Sequence, residues 1–236
     1  MFSAVSELFI KIPQEIPEKS NGFKNIIRSF KNDLVEGFRY VWKNKGLRNL
    51  VILCAVYDFF VIPIIVLLPF YVEDFLSLKA EWYGFLMAAL GLGSLIGFAI
   101  AGVLKLSGRG RYFLLVWMFI LFSIAFGSLG FYKIPNLVLF IFFAAGVMGG
   151  IFDIIAITLV QLTTPANLRG RVFGVISTMH QSLFPISAAL SGIIADLTGQ
   201  NLPLIYGTCG VFMLVISLSI IADKEMYRFL SFEKKQ

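Results

Sequence analysis

Six runs of twenty or more predominantly apolar residues organise this sequence, at Leu47–Tyr71, Trp82–Leu106, Tyr112–Phe131, Pro135–Gln161, Val172–Leu197 and Leu202–Ala222. A helix of about 20 apolar residues spans the ~30 Å hydrocarbon core of a bilayer. The runs are too long for barrel strands and show none of their alternation. Each therefore predicts a transmembrane helix. Composition agrees: 58% of residues are hydrophobic and 14% charged, against roughly 25% charged in soluble domains. A water-soluble chain so apolar has too little polar surface to cover itself, so the lipid bilayer is the expected first partner.

The placement of Lys and Arg predicts the orientation. Nine lie before the first run or at its start, from Lys11 to Arg48. Lys105, Arg109 and Arg111 lie at the end of the second or just after it, Arg169 and Arg171 follow the fourth, and Lys224, Arg228, Lys234 and Lys235 the last. Only Lys79 and Lys133 fall on the other side. Positive charge stays inside. The expected protein is multi-pass in the cell (inner or plasma) membrane, with both termini cytoplasmic. The net charge of +6 is thus topology rather than a nucleic-acid surface, and no nucleic-acid partner is expected. The expected organisation is a cytoplasmic lead over residues 1–46, a six-helix bundle over 47–222 and a tail over 223–236. Within the lead, Asp33–Lys45 reads as an amphipathic helix carrying Leu34, Phe38, Val41 and Trp42, laid against the membrane surface.

Chemistry-bearing patterns are sparse. Cys54 and Cys209 sit inside apolar runs and read as small buried hydrophobes. No metal-ligand spacing, nucleotide loop or hydrolase signature is present, so no cofactor, no metal and no enzyme activity is expected.

An internal repeat is visible. YGFLMAALGLGSLIGFAIAGVLKLSG from Tyr83 aligns with FGVISTMHQSLFPISAALSGIIADLTG from Phe173. Gly84 pairs with Gly174, Ala99 with Ala189 and Gly102 with Gly192, all at an offset of 90 residues. The offset covers three helices, an odd number, so the copies cross the membrane in opposite directions. An inverted three-plus-three repeat is a transporter signature. Gly93 and Gly97 form GxxxG, which reads as close packing between neighbouring spans.

These residues resemble the major facilitator superfamily, and its macrolide-efflux and enterobactin-exporter branch in particular. EGFRYVWKNKGLRNL (Glu36–Leu50) is similar to the segment entering helix seven of such proteins, and TPANLRGRVFG (Thr164–Gly174) to their loop between helices ten and eleven. SGIIADLTG (Ser191–Gly199) resembles the end of helix eleven. GVLKLSGRGR (Gly102–Arg111) is similar to a degraded signature loop, with Leu106 where an acid is expected. The resemblance implies an all-α membrane fold in which the six helices form half of a twelve-helix transporter, helices seven to twelve, with residues 1–12 ending helix six. It implies proton-coupled efflux of a small amphipathic drug or siderophore by alternating access, with an N-terminal six-helix half as partner. Two other readings of the chain stay open: a half-transporter that pairs with a separately encoded or identical half, and an inert truncated fragment.

Ionisable groups inside a membrane are costly and mark function by default. There are three. Asp58 lies near the midplane of the first run, on a helix that the resemblance places along the central cavity; it reads as a cation or proton site, or as a structural carboxylate. Asp153 and His180 stand at similar depth on consecutive spans, about 14 Å from the cytoplasmic border, and either form an acid–imidazole pair or face different neighbours. Gln181, Gln161 and Thr158 are candidate substrate contacts. Arg169, Gly170 and Arg171 form a basic loop that reads as a topological anchor, or, by the resemblance, as a gate. Asp196 reads as a cap or ion-pair residue at the outer border.

Overall fold

A computed structural model of the chain describes residues 23–104 and 108–231. The expected end of a preceding helix at residues 1–12 lies outside these residues, as do Lys105, Lys234 and Lys235. Among these residues, eight helices of seven residues or more form: α1 (Phe23–Lys43), α2 (Lys45–Val66), α3 (Glu81–Val103), α4 (Gly108–Gly127), α5 (Pro135–Thr163), α6 (Arg169–Leu197), α7 (Leu202–Ala222) and the short α8 (Lys224–Leu230). The fold is all-helical. Among the described residues, five helices are long and apolar enough to cross a membrane: α2, α3, α4 with its 3-10 extension to Phe131, α5 and α7. The fifth apolar run folds as α6, 29 residues long, but its arginines, His180, Gln181, serines and Asp196 leave it less apolar than the others.

Prolines set where α2 stops. The run Leu47–Tyr71 reads as one span that Pro63 and Pro69 can kink; α2 ends at Val66 and is followed by a turn at Leu68–Phe70 and a π turn at Tyr71–Phe75. Pro69 cannot donate back to Ile65, so the regular ladder ends there. Pro63 lies inside α2 and leaves the Phe59 carbonyl without its helical donor. Ser187 of α6 replaces it, donating its hydroxyl to that carbonyl at 2.6 Å. A side chain from a neighbouring helix thereby satisfies the group that proline frees.

Helix pairing follows the small residues. α3 makes its main contact with α5, α4 packs on α7, and α2 packs on both α6 and α7. A Cβ at Gly93 or Gly97 would run into the α5 backbone at Phe143 and Val147. Reciprocally, a Cβ at Gly146 or Gly150 would strike the carbonyls of Leu90 and Ser94. Two GxxxG stripes thus interlock, which brings the backbones together where lipid supplies no hydrophobic drive. Gly127 and Gly210 do the same between α4 and α7. The repeat-matched glycines Gly84, Gly102, Gly174 and Gly192 all face open space, so their positions are not explained by packing inside this chain.

The core divides into two layers. One, around Tyr71, Phe126, Phe142 and Tyr206, fills the end of the bundle away from α1. The other, around Leu47, Tyr112, Leu159, Val172 and Phe229, fills the basic end. α1 and α8 close that basic end. Asp223 caps α8 through the amides of Glu225 and Met226 and accepts a 2.6 Å hydrogen bond from Asn49 of α2.

The interlocked glycines give a paired test. Gly146→Ala should cost about 1–3 kcal/mol of stability, the usual range for overpacking, because its Cβ meets backbone. Gly149→Ala, three residues on in open space, should stay within about 0.5 kcal/mol of wild type. Reversible unfolding in mixed micelles measures both, and equal effects would show that α3 and α5 are not held by this contact.

Candidate functional site

The seam between α2 and α6 brings the charged residues together. Once Ser187 is fixed on the Phe59 carbonyl, the same face of α6 two turns earlier carries His180. His180 Nδ1 lies 2.6 Å from Asp58 Oδ2. Both side chains keep some exposure, 31% for His180 and 48% for Asp58, so the pair faces open space rather than a sealed core.

An acid–imidazole pair therefore forms, but its acid is Asp58. Of the two readings of Asp153 and His180, the structure has them facing different neighbours. Depth places these two at the same level, yet α6 packs against α2, and its His180 turns there. Asp153 has no hydrogen bond or ion pair among the described residues and is exposed. It lines the same cavity as the pair, a space of about 270 Å³ between α2, α4, α5 and α6.

The remaining walls of that cavity are soft and aromatic. Met118, Phe119 and Phe122 come from α4, Met148, Gly149 and Phe152 from α5, and Cys54 and Tyr57 from α2. Phe119 meets Tyr57 edge-on at 4.7 Å between centroids and Phe152 at 5.1 Å. Tyr57 is locked from behind: its hydroxyl donates to the Phe119 carbonyl at 3.1 Å and lies 3.1 Å from Ser123 Oγ, which in turn lies 3.1 Å from Ser217 Oγ. Aromatic faces and unpaired carboxylate suit a large organic cation, while methionines adapt to varied shapes. A second cavity of about 400 Å³ lies on the other side of the pair, lined by Val61, Ile62, Gln181 and Phe184. Asp58 and His180 line both cavities.

Other candidate residues are more dispersed. Gln161 and Thr158 are exposed on α5, toward the basic end from Asp153, and line neither cavity. Arg171 bonds to Asp33 at 3.0 Å and also to Glu36, both on α1. Arg169 Nε donates to the Thr164 carbonyl at 3.2 Å, and Gly170 faces open space. Asp196 carries no side-chain partner among the described residues. The turn after α6 is closed instead by backbone: Gly199, with φ of +60°, and Gln200 donate to the carbonyls of Asp196 and Ala195. No cluster of three or more metal-ligating side chains occurs among the described residues.

Sequence reasoning missed the Asp58–His180 partnership and the α4 wall of the cavity. The repeat held a usable signal for the first. If α3 pairs with α5, a three-helix shift pairs α6 with α2.

A family model described as transmembrane secretion effector matches residues 9–228. The chain belongs to this family of major facilitator transporters. Among curated relatives, it is 28% identical to the MFS-type transporter YfmI of Bacillus subtilis (strain 168) over 227 residues, which is 92% of this chain and 53% of that protein. It is 29% identical to the multidrug efflux pump Tap of Mycolicibacterium fortuitum over 169 residues, 71% of this chain and 41% of the pump. The MFS-type transporter y4rN of Sinorhizobium fredii (strain NBRC 101917 / NGR234) is 26% identical over 216 residues, 89% of this chain and 51% of its own length. The chain spans about half the length of these relatives. No solved structure matches. Membership places the chain in a family of multi-pass membrane transporters, not of enzymes.

The pair has an energetic signature. In a cycle of Asp58→Asn, His180→Gln and the double variant, the two substitutions should couple by on the order of 1 kcal/mol, the scale of a partly exposed ion pair. Thermal unfolding of the purified chain measures this, and strict additivity would show that the two side chains do not interact.

Proposed function

We propose that this chain is the C-terminal half of a proton-coupled efflux transporter, working by alternating access on an amphipathic cationic substrate. The observation that carries the reading is the Asp58–His180 pair, 2.6 Å apart, beside the partnerless Asp153 in an aromatic cavity.

On this reading α6 also crosses the membrane, which brings the spans to six. Its polar residues do not argue against the membrane. His180 meets Asp58, Ser187 meets the Phe59 carbonyl, and Ser191 donates to the Ser187 carbonyl at 2.6 Å. Polar groups in spans are tolerated where they face protein or a cavity. The inverted repeat is supported by the pairing itself. α3 with α5 and α6 with α2 exchange under a shift of three helices, as two copies of one unit would. The basic end, closed by α1 and α8, is the cytoplasmic one by the positive-inside rule. The missing wall of the cavity then belongs to an N-terminal six-helix half.

The site divides the work. Asp58 and His180 exchange the coupling proton, since an imidazole changes charge in the range pH 5 to 8. The groups that face the pair are Asp153 from α5, Tyr57 and Cys54 from α2 and Gln181 from α6. Asp153 and the rings of Phe119 and Phe152 hold the substrate cation. Gln181 offers hydrogen bonds in the second cavity, and Gln161 lies along the exposed face of α5 on the way in from the cytoplasmic end.

The division predicts two separable phenotypes in a complete twelve-helix version. Asp58→Asn should abolish export driven by an imposed pH gradient and leave exchange of labelled for unlabelled substrate intact. Asp153→Asn should weaken a cationic substrate by roughly tenfold, about 1.4 kcal/mol, and spare a neutral one. Proteoliposome flux assays read both. Unchanged gradient-driven export by Asp58→Asn would remove the pair from coupling.

A further inference from the structure

Helix α1 presents two apolar stripes, and the bundle uses only one. Leu34, Gly37 and Val41 turn inward. Val41 is fully buried, and a Cβ on Gly37 would meet the Arg171 backbone. Val35, Phe38 and Trp42, rotated by about 100° around the helix, turn outward and are 46%, 46% and 44% exposed. The amphipathic reading of this segment put Leu34, Phe38, Val41 and Trp42 on one face, whereas the structure splits them between the two stripes.

The outward stripe is ordered. The Phe38 and Trp42 rings stack at 4.7 Å between centroids, 18° from parallel. Its surroundings are cationic: Lys31, Arg39 and Lys43 are exposed on the same helix. The acids of α1 point elsewhere, because Asp33 and Glu36 both pair with Arg171.

The height of the stripe is set independently. α2, the first span, starts at Lys45, directly after its Asn44 cap. The Tyr40 hydroxyl donates to the Thr163 carbonyl at 2.7 Å, where α5 ends. Trp42 and Phe38 therefore stand at the level where two spans leave the hydrocarbon. An aromatic pair at that depth, flanked by cations, has the chemistry of the headgroup region.

We propose that the outward side of α1 is seated in an anionic lipid surface, with Phe38 and Trp42 at headgroup depth and Lys31, Arg39 and Lys43 on lipid phosphates. The occupant is lipid rather than protein because the stripe is one side chain wide, lies level with the span ends and is matched by three cations.

The test leaves Trp42 as the sole tryptophan, by Trp82→Phe and Trp117→Phe, with the chain reconstituted in vesicles of phosphatidylcholine or of phosphatidylcholine mixed with phosphatidylglycerol. Lipids brominated high on the acyl chain should quench Trp42 emission by roughly half and those brominated near the chain end much less, as expected for an interfacial ring. Phosphatidylglycerol should lower quenching by aqueous acrylamide, and Lys31→Gln/Arg39→Gln/Lys43→Gln should erase that dependence on anionic lipid. Should the single-tryptophan variant not fold, the difference between wild type and Trp42→Phe isolates the same signal. Two results would overturn the proposal. In one, acrylamide reaches Trp42 equally in all vesicles while bromolipid does not quench it. In the other, Trp42 is shielded from both quenchers, in proportion to protein density, which would mean that another protein surface covers the stripe.

Discussion

A polar group inside hydrocarbon must be met by protein, since no water is there to meet it. The α2–α6 seam is built on that constraint. Pro63 removes the donor for the Phe59 carbonyl, and Ser187 supplies another at 2.6 Å. That bond fixes the rotation of α6 about its own axis. With the rotation fixed, His180, seven residues earlier and on the same face, is brought to Asp58. The proline defect and the charged pair are thus parts of one arrangement. The repair of the first positions the second.

The α3–α5 contact does the complementary work on the other side of the cavity. Gly146 and Gly150 occupy one face of α5 and hold it against α3. The flank of α5 beside this contact carries Gly149, Phe152 and Asp153, all of which line the cavity. Gly149 has no neighbour within 4 Å, which keeps the space beside Asp153 open. In the most apolar window of α3 only 17% of residues are buried. Such a surface is stable against lipid and would be costly against water, about 25 cal/mol for each Å² exposed. The glycine contact and the lipid solvent therefore explain each other. A helix so little buried stays in place because the backbones approach closely, not because its side chains are enclosed.

The sequence carried the helices more fully than the site. Six apolar runs mark six long helices to within a few residues, except where Pro69 ends α2 at Val66 rather than Tyr71. The GxxxG at Gly93 was legible as a packing stripe, and its partner at Gly146 and Gly150 was equally present in the sequence. Depth was legible too, because it needs only a count of residues along a helix. Rotation was not. Asp153 and His180 do share a level and a cavity, yet which acid meets the imidazole depends on which helix lies beside α6 and how α6 is turned. That was decided by a serine two turns away and by a proline on another helix, a coupling that no count along one segment reports. The same limit applied to α1. Its apolar residues were evident, but their division between bundle and exterior follows from Gly37 fitting against the Arg171 backbone.

Arg171 joins these parts at the basic end. It opens α6, nine residues before His180, and its guanidinium holds Asp33 and Glu36 of α1. Tyr40 of the same helix holds the end of α5. α1 therefore touches both sides of the loop between α5 and α6, the two helices that carry Asp153 and His180. Exposed ion pairs are each worth about 0–1 kcal/mol, and the Arg171 pairs are of this kind. A movement of α6 against α5 has to break them or carry α1 along. At that cost breaking is within reach of thermal motion, whereas the close backbone fit at Gly37 favours carrying. The segment that leads into α2 is thus mechanically tied to the helix bearing the imidazole, and a change in the position of α1 has a direct path to the Asp58–His180 pair.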